Sequence, residues 1–175
     1  MAEVAFPYVV ESFGGEHERD AFACGEAALD DYLRRQAGQD VRRGIARVFI
    51  ARPAETTEIA GYYALSAASF RRDQLPSDLA RRLPRYPIPA ARLGRLAVDR
   101  GHQGRGLGRY LLFDALNRIL GASRTVAICA VLVDARPAAV RFYTHYGLQP
   151  LPSRPTELFL PLETLRRAAG VGSGC

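Results

Sequence analysis

The chain has 175 residues, 48% of them hydrophobic, enough for one ordinary globular core and one domain. Its formal net charge of +6 rests on 24 basic residues, all arginine, and favours anionic partners. Cys24, Cys129 and Cys175 are far apart and form no CxxC pair, which argues against a disulfide scaffold or a zinc site and fits a reducing cytoplasm.

His17, His102 and His145 show no metal-ligand spacing, so no metal is expected. The opening MAEVAFPYVVESF lacks a basic leader followed by an apolar run, so it is not a signal peptide. No stretch approaches the roughly 20 apolar residues that span a bilayer, and no membrane partner is expected.

In chain order, Val4–Glu11 reads as a first strand. Ala27–Arg43 reads as a helix, with Leu29, Tyr32 and Leu33 on one side and a possible break near Gly38. Ile45–Ala51, ended by Pro53, and Ile59–Ser66 read as two strands of a hairpin. Residues 71–92 mix arginines with Pro76, Pro84, Pro87 and Pro89, and read as a short helix over Ser77–Arg82 followed by an extended loop. Ala91–Val98 is a strand. Leu107–Leu120 is a helix whose apolar face is Leu107, Leu111, Leu112, Ala115, Leu116 and Ile119. Thr125–Val133 reads as a strand buried on both faces. Arg136–Tyr146 is a helix closed by Gly147, Thr156–Leu160 a last strand, and GVGSGC a disordered tail. The fold class is α/β (α+β): a mixed, mostly antiparallel sheet covered by helices, one domain over 1–165 with a disordered tail from 166.

The segment His102–Gly108, HQGRGLG, sits where a strand feeds a helix. Gly104, Gly106 and Gly108 let the backbone approach a ligand, and the helix start offers unpaired N–H groups and a positive dipole end. Arg105 and Arg109 add charge, so the turn suits a pyrophosphate. It is neither a Walker motif nor the GxGxxG dinucleotide fingerprint, because the spacing is GxGxG. Spacing alone leaves a ligand-free glycine turn as the other reading.

Gln103-Gly104-Arg105-Gly106-Leu107-Gly108 resembles the Q/R-x-x-G-x-G/A motif of the GNAT acetyltransferase superfamily, and Leu93–Val98 resembles that family's fourth strand. The resemblance implies the GNAT fold, with two parallel strands splayed around acetyl-CoA. It implies backbone hydrogen bonds to the cofactor from Leu96, Ala97 and Val98, with Val98 near the acetyl carbonyl. Gln103, Gly104, Arg105, Gly106, Leu107 and Gly108 would hold the pyrophosphate. Further segments extend the likeness over most of the chain: FACG at 22–25, LDDYL at 29–33, GYYALS at 61–66, LPRYPIP at 83–89, and VDA at 133–135 before Phe142-Tyr143. In this order they resemble the acetyltransferase toxins of type II toxin–antitoxin systems. Those enzymes acetylate the amino acid on a charged tRNA and stop translation, and a ribbon-helix-helix antitoxin neutralises them. A homodimer is expected from the same resemblance.

Acetyl transfer needs a neutral amine, a polarised thioester carbonyl and a protonated leaving thiolate. The Val98 amide is placed to polarise the carbonyl. A tyrosine, near 10, stays protonated at neutral pH and can serve a departing thiolate near 8.5. Tyr143 matches the family's catalytic tyrosine, which implies the general-acid role; without the resemblance a packed aromatic is the simpler reading. A free α-amino group near 7.7–8.0 is partly neutral at pH 7 and needs no strong base, unlike a lysine near 10.4. Glu58 and Asp99 are read as surface or cap groups rather than bases. His102 is read as a cap of the turn.

A tRNA acceptor stem is a line of phosphates, best met by spread positive charge. Two groups suit it. Arg35, Arg42 and Arg43, with Arg34, lie on the first helix. Arg72, Arg82, Arg85 and Arg92, with Arg71 and Arg81, lie in the proline-bearing segment and the strand after it. Taken singly, each arginine also reads as a solvated charge. The expected function is transfer of acetyl from acetyl-CoA to the α-amine of aminoacyl-tRNA. The alternatives are a GNAT enzyme for a small amine or protein N-terminus, and a nucleic-acid-binding module with a vestigial acetyl-CoA site.

Overall fold

Strand β1 (Tyr8–Ser12) pairs antiparallel with β2 (Arg47–Pro53), in a register running from Tyr8↔Pro53 to Ser12↔Phe49. The computed structural model describes residues 6–170. Within them seven strands form one sheet in the order β1-β2-β3-β4-β5-β7-β6, with β3 at Gly61–Phe70, β4 at Ile88–Val98, β5 at Ala130–Asp134, β6 at Gln149–Leu151 and β7 at Arg154–Pro161. β4 and β5 run parallel, from Ala90↔Ala130 to Leu93↔Val133. β5 pairs antiparallel with β7, and β7 with β6. The helices are α1 (Ala27–Asp31), α2 (Ala37–Arg43), α3 (Ser77–Ala80), α4 (Leu107–Ala122), α5 (Val140–His145) and α6 (Leu162–Ala168). The mixed α/β class expected from the sequence is therefore the one observed.

The described residues divide into two compact units: those up to 64 with 96–113, and 65–95 with those from 114 on. The first has a core of Phe22, Tyr32, Leu33, Ile50, Ile59 and Tyr62, with Ala97 of β4. Gly61 matters to its packing. A Cβ there would stand 2.8 Å from Leu111 Cδ1 and 3.0 Å from the Ala97 carbonyl, so glycine lets α4 sit close on β3 and β4. The second unit packs Phe70, Ile88, Leu132 and Phe159 with Leu75.

Several boundaries differ from expectation. The first strand was expected at Val4–Glu11, but it begins at Tyr8; residues 4 and 5 lie outside the described residues. The first helical region is not broken at Gly38, which lies inside α2. The irregularity is a π turn over Tyr32–Gln36, closed by the Ala37 amide bonding back five residues to the Tyr32 carbonyl. The strand expected from Thr125 starts only at Ala130. The amides of Thr125 and Val126 instead bond to the Ala122 carbonyl and finish α4, leaving Val126 64% exposed. The buried run Ala130–Val133 does match a strand covered on both faces.

Gly147 closes α5 as expected, with φ +92° and the paired bonds Gly147 N–H to Thr144 O and Leu148 N–H to Tyr143 O. β6 and α6 were not anticipated. α6 crosses the boundary expected at 165, because Leu162 and Leu165 are buried and Glu163 pairs with Arg167 one turn on. Residues 171–175 of the expected tail lie outside the described residues.

Candidate active site

In the first unit, Gln103–Gly106 lie exposed between the end of β4 and the start of α4. Gly104 and Gly106 adopt φ +75° and +80°, a left-handed backbone that side-chain-bearing residues rarely take. A Cβ at either would meet nothing within 4 Å, so the glycines serve the turn's conformation and keep its outer side open. The turn leads directly into the start of α4 at Leu107, and a helix start leaves its first amides without helical partners. Leu107 is 1% exposed, so its side chain belongs to the core and only its backbone is free for a ligand. Arg105 and Arg109 are exposed. Ala97 is buried, while Leu96 and Val98 are half-buried at the end of β4.

The exposed Gln103 side chain is engaged through its amide nitrogen. Its Nε2 donates to the carbonyls of Val98 at 2.9 Å and Cys24 at 3.0 Å. Asp99 works beside it. One carboxylate oxygen accepts from Gly101 N–H at 2.9 Å and the other from Ala23 N–H at 3.0 Å. The backbone adds Arg100 N–H to Ala23 O and Asp99 N–H to Ala60 O. These bonds stitch the 22–25 loop to the strand end and turn. The cap reading of Asp99 fits them. The motif's spacing does not reveal these two partners of the Gln103 side chain, which lie 5 and 79 residues away.

His102 bonds Tyr8 Oη through Nδ1 at 2.9 Å and Glu58 through Nε2 at 3.3 Å. Glu58, Asp99 and His102 are close enough to share a cation. Their polar atoms are already engaged by one another, Tyr8 and backbone amides, so hydrogen bonding accounts for the grouping. Cys24 lies in the 22–25 loop, and its thiol donates to the Glu26 carbonyl at 3.6 Å. Burial and the adjacent Asp30 push its thiol up to about 11, which leaves it protonated at neutral pH.

Tyr143 lies in the second unit, on α5, and is 5% exposed. Burial raises its phenol well above the ordinary tyrosine value, so it holds its proton across the physiological range. Its ring meets Phe142 edge-on at 5.1 Å, and its carbonyl accepts from Leu148 at the helix end. The α5 cap thus fixes the backbone that carries the phenol.

The arginines divide by engagement. Arg35, Arg42 and Arg43 are exposed on the first helical region, and Arg82 and Arg85 are exposed in the segment before β4. Arg72 is half-buried and donates to the Leu83 carbonyl at 3.2 Å, bracing that segment. Arg92 departs from the expected phosphate role. It pairs with Asp134 at 2.5 Å and with the buried Glu157 at 3.5 Å, so its charge is spent between strands. Arg34 likewise donates to the Phe22 carbonyl.

One feature of the first unit has no sequence signal, because its residues are scattered. Glu11, Glu16, Glu18, Glu55 and Glu58 line an open cavity of about 820 Å³ with Arg52 and His17. Arg52 and His17 bond Glu11 and hold its carboxyl at about 2. Among the described residues no helix is long and apolar enough to cross a membrane.

The acetyltransferase (GNAT) domain family matches residues 25–157. A tRNA-acetylating toxin of Mycobacterium tuberculosis is 37% identical over 151 residues, 86% of this chain and 89% of that protein. AtaT complexed with acetyl-methionyl-tRNAfMet superposes with a TM-score of 0.85 at 31% identity, over 93% of this chain and 99% of that one. A mutant AtaT toxin bound to acetyl-CoA and the C-terminus of the antitoxin AtaR gives a TM-score of 0.80 at 28% identity, over 94% and 99%.

Proposed function

This chain belongs to the GNAT acetyltransferase family, and on that premise we propose that it is the toxin of a type II toxin–antitoxin system. It is an acetyl-CoA-dependent N-acetyltransferase that modifies the α-amine of aminoacyl-tRNA and blocks translation. The observation that carries the reading is the Gly104–Gly108 turn. Two left-handed glycines open a cradle at the N-terminus of α4, in a chain whose solved neighbours include a toxin bound to acetylated aminoacyl-tRNA. Acetyl-CoA supplies the activated acetyl group.

The residues take separate roles. The amides from Gly104 to Gly108, with the Arg105 side chain, bind pyrophosphate oxygens. Gln103 acts by holding the Val98 and Cys24 carbonyls in place. Leu96, Ala97 and Val98 bind the pantetheine by backbone, and the Val98 amide donates to the thioester oxygen as negative charge builds there. The amine nitrogen attacks the carbonyl carbon, the C–S bond breaks, and Tyr143 gives its phenolic proton to the departing sulfur. The phenolate is reprotonated by the proton the amine loses. Arg35, Arg42, Arg43, Arg82 and Arg85 meet tRNA phosphates, with a lesser part for Arg72. Arg92 stays structural. A ribbon-helix-helix antitoxin, a homodimer, a single functional domain and a cytoplasmic setting complete the reading.

The test is cell-free translation with purified protein, with and without acetyl-CoA, comparing wild type and Tyr143→Phe. Arrest that requires acetyl-CoA, fails in the variant and is relieved by fresh charged tRNA supports the proposal. Acetyl-CoA binding without arrest would move the substrate to a small amine or a protein N-terminus.

A further inference from the structure

One short segment of the chain holds both flanks of the glycine turn. Phe6 and Tyr8 stand at the start of the edge strand β1, and their rings lie 5.3 Å apart, on one side of the chain. Pro7 lies between them. It fixes its own φ and biases Phe6 toward extended backbone, so the placement of the pair is partly preset. Tyr8 Oη meets His102 Nδ1 at 2.9 Å, one residue before Gln103. Phe6 stacks on Tyr110, with ring centroids 4.2 Å and planes 24° apart. The Tyr110 amide makes the helical bond back to the Gly106 carbonyl at 3.1 Å. Residues 103–109 are thus bracketed by contacts to two neighbouring aromatic rings.

The turn has few other means of staying in place. Asp99 and Gln103 tie its base to the 22–25 loop, but Gly104 and Gly106 carry no side chain that could fix the rest. A ligand held by backbone N–H groups depends on where those groups already point, because ordering a loose loop on binding lowers affinity. The partners of His102 set its tautomer. A carboxylate only accepts, so Nε2–H donates to Glu58 at 3.3 Å and the Tyr8 hydroxyl donates to Nδ1. Tyr8 is 7% exposed, which shields that bond from water. Phe6 and Tyr110 stay partly exposed, so their stack joins two segments rather than filling a core.

We propose that Phe6, Tyr8 and His102 are positioning residues for acetyl-CoA: the Tyr8–His102 bond and the Phe6–Tyr110 stack clamp the two flanks of the turn and hold its amides ready for the pyrophosphate. This rests on the assignment of Gly104–Gly108 to the pyrophosphate. None of the three takes part in the acetyl transfer itself.

The test is calorimetry on the full chain with two donors and no acceptor. One is acetyl-CoA; the other is S-acetyl-pantetheine, which keeps the thioester and lacks the pyrophosphate. Wild type should bind acetyl-CoA more tightly, the difference being the contribution of the nucleotide end. Tyr8→Phe keeps the ring and removes one hydrogen bond, so acetyl-CoA should bind about fivefold more weakly while acetyl-pantetheine is unaffected. His102→Gln should do the same, and combining it with Tyr8→Phe should add little, since both remove one bond. His102→Asn, whose amide reaches the position of Nδ1, should recover most of the loss. Phe6→Ala should also weaken acetyl-CoA alone; should it not fold, Phe6→Leu, which keeps apolar bulk without the stack, should show a smaller loss. Unchanged acetyl-CoA affinity in folded Tyr8→Phe and Phe6 variants overturns the clamp. So does an equal loss for both donors, which marks a general effect on the fold. A wild type that does not prefer acetyl-CoA to acetyl-pantetheine defeats the pyrophosphate assignment, and the clamp with it.

Discussion

The side-chain amide of Gln103 donates to the carbonyl of Val98 at 2.9 Å across the base of the glycine turn. The same nitrogen reaches Cys24 O, so one side chain holds the strand end, the turn and the 22–25 loop together. Gln103→Ala should loosen this geometry without touching the reacting atoms. Losing two hydrogen bonds worth about 1 kcal/mol each predicts a rise of about tenfold or more in KM for acetyl-CoA. Steady-state kinetics should show kcat nearly unchanged; an equal fall in kcat would show that the side chain acts on the chemistry.

Tyr143→Phe removes the phenolic proton and keeps the ring, its contact with Phe142 and the cap at Gly147. General-acid assistance is worth about 10²–10⁴ in rate. Single-turnover acetylation of charged tRNA should fall by that range while acetyl-CoA binding, read by calorimetry, holds. Full activity in the variant would reduce Tyr143 to a packing residue.

Direct transfer also predicts what the thiols do not do. With Cys24 held at about 11, only about one molecule in 10⁴ carries the thiolate at pH 7. Cys24→Ala should retain activity, and intact-mass spectra of the wild type with acetyl-CoA alone should show no acetyl-enzyme. A stoichiometric acetylated species would require a two-step mechanism.

Gly61→Ala puts a methyl 2.8 Å from Leu111 Cδ1 and 3.0 Å from the Ala97 carbonyl. The backbone cannot yield as a side chain can, so about 1–3 kcal/mol of stability should be lost. Chemical denaturation should show a lower midpoint with an unchanged slope. No change would mean that α4 can lift from the sheet freely.

Glu11 predicts the acid limb of stability. Arg52 and His17 lower its pKa from 4.5 to about 2 in the folded protein. A depressed carboxyl contributes stability that is complete above its ordinary value and is lost as pH falls toward the folded one. The melting temperature of the wild type should therefore drop between about 4.5 and about 2, and Glu11→Gln should flatten that drop. The effect is modest because the pair is partly exposed. Parallel curves for the two proteins would show that the contact contributes nothing.

Local chemistry made much of this protein legible before any coordinates. The α4 stripe from Leu107 to Ile119 reads directly, because helical periodicity places those side chains on one face. The glycines of HQGRGLG announce a turn that needs left-handed backbone, and Gly104 and Gly106 adopt it. Gly147 marks a helix end for the same reason. These are properties of a few adjacent residues and survive without knowledge of neighbours.

What only the tertiary structure decided depends on partners far away in sequence. The partners of the Gln103 side chain are carbonyls 5 and 79 residues distant. Arg92 looks like any other surface arginine until Asp134 and Glu157 arrive beside it from later strands. The run after Thr125 has strand-like residues, yet the last turn of α4 claims its amides first. The π turn at Tyr32–Gln36 leaves no mark in residue spacing, since one widened turn serves the packing of Tyr32 and Leu33 rather than helix propensity. The acidic cavity is assembled from separate segments. Periodicity and motif spacing report what neighbours along the chain can do. Charge pairing, side-chain direction and cavities follow from which distant groups are brought together, and folding alone settles that.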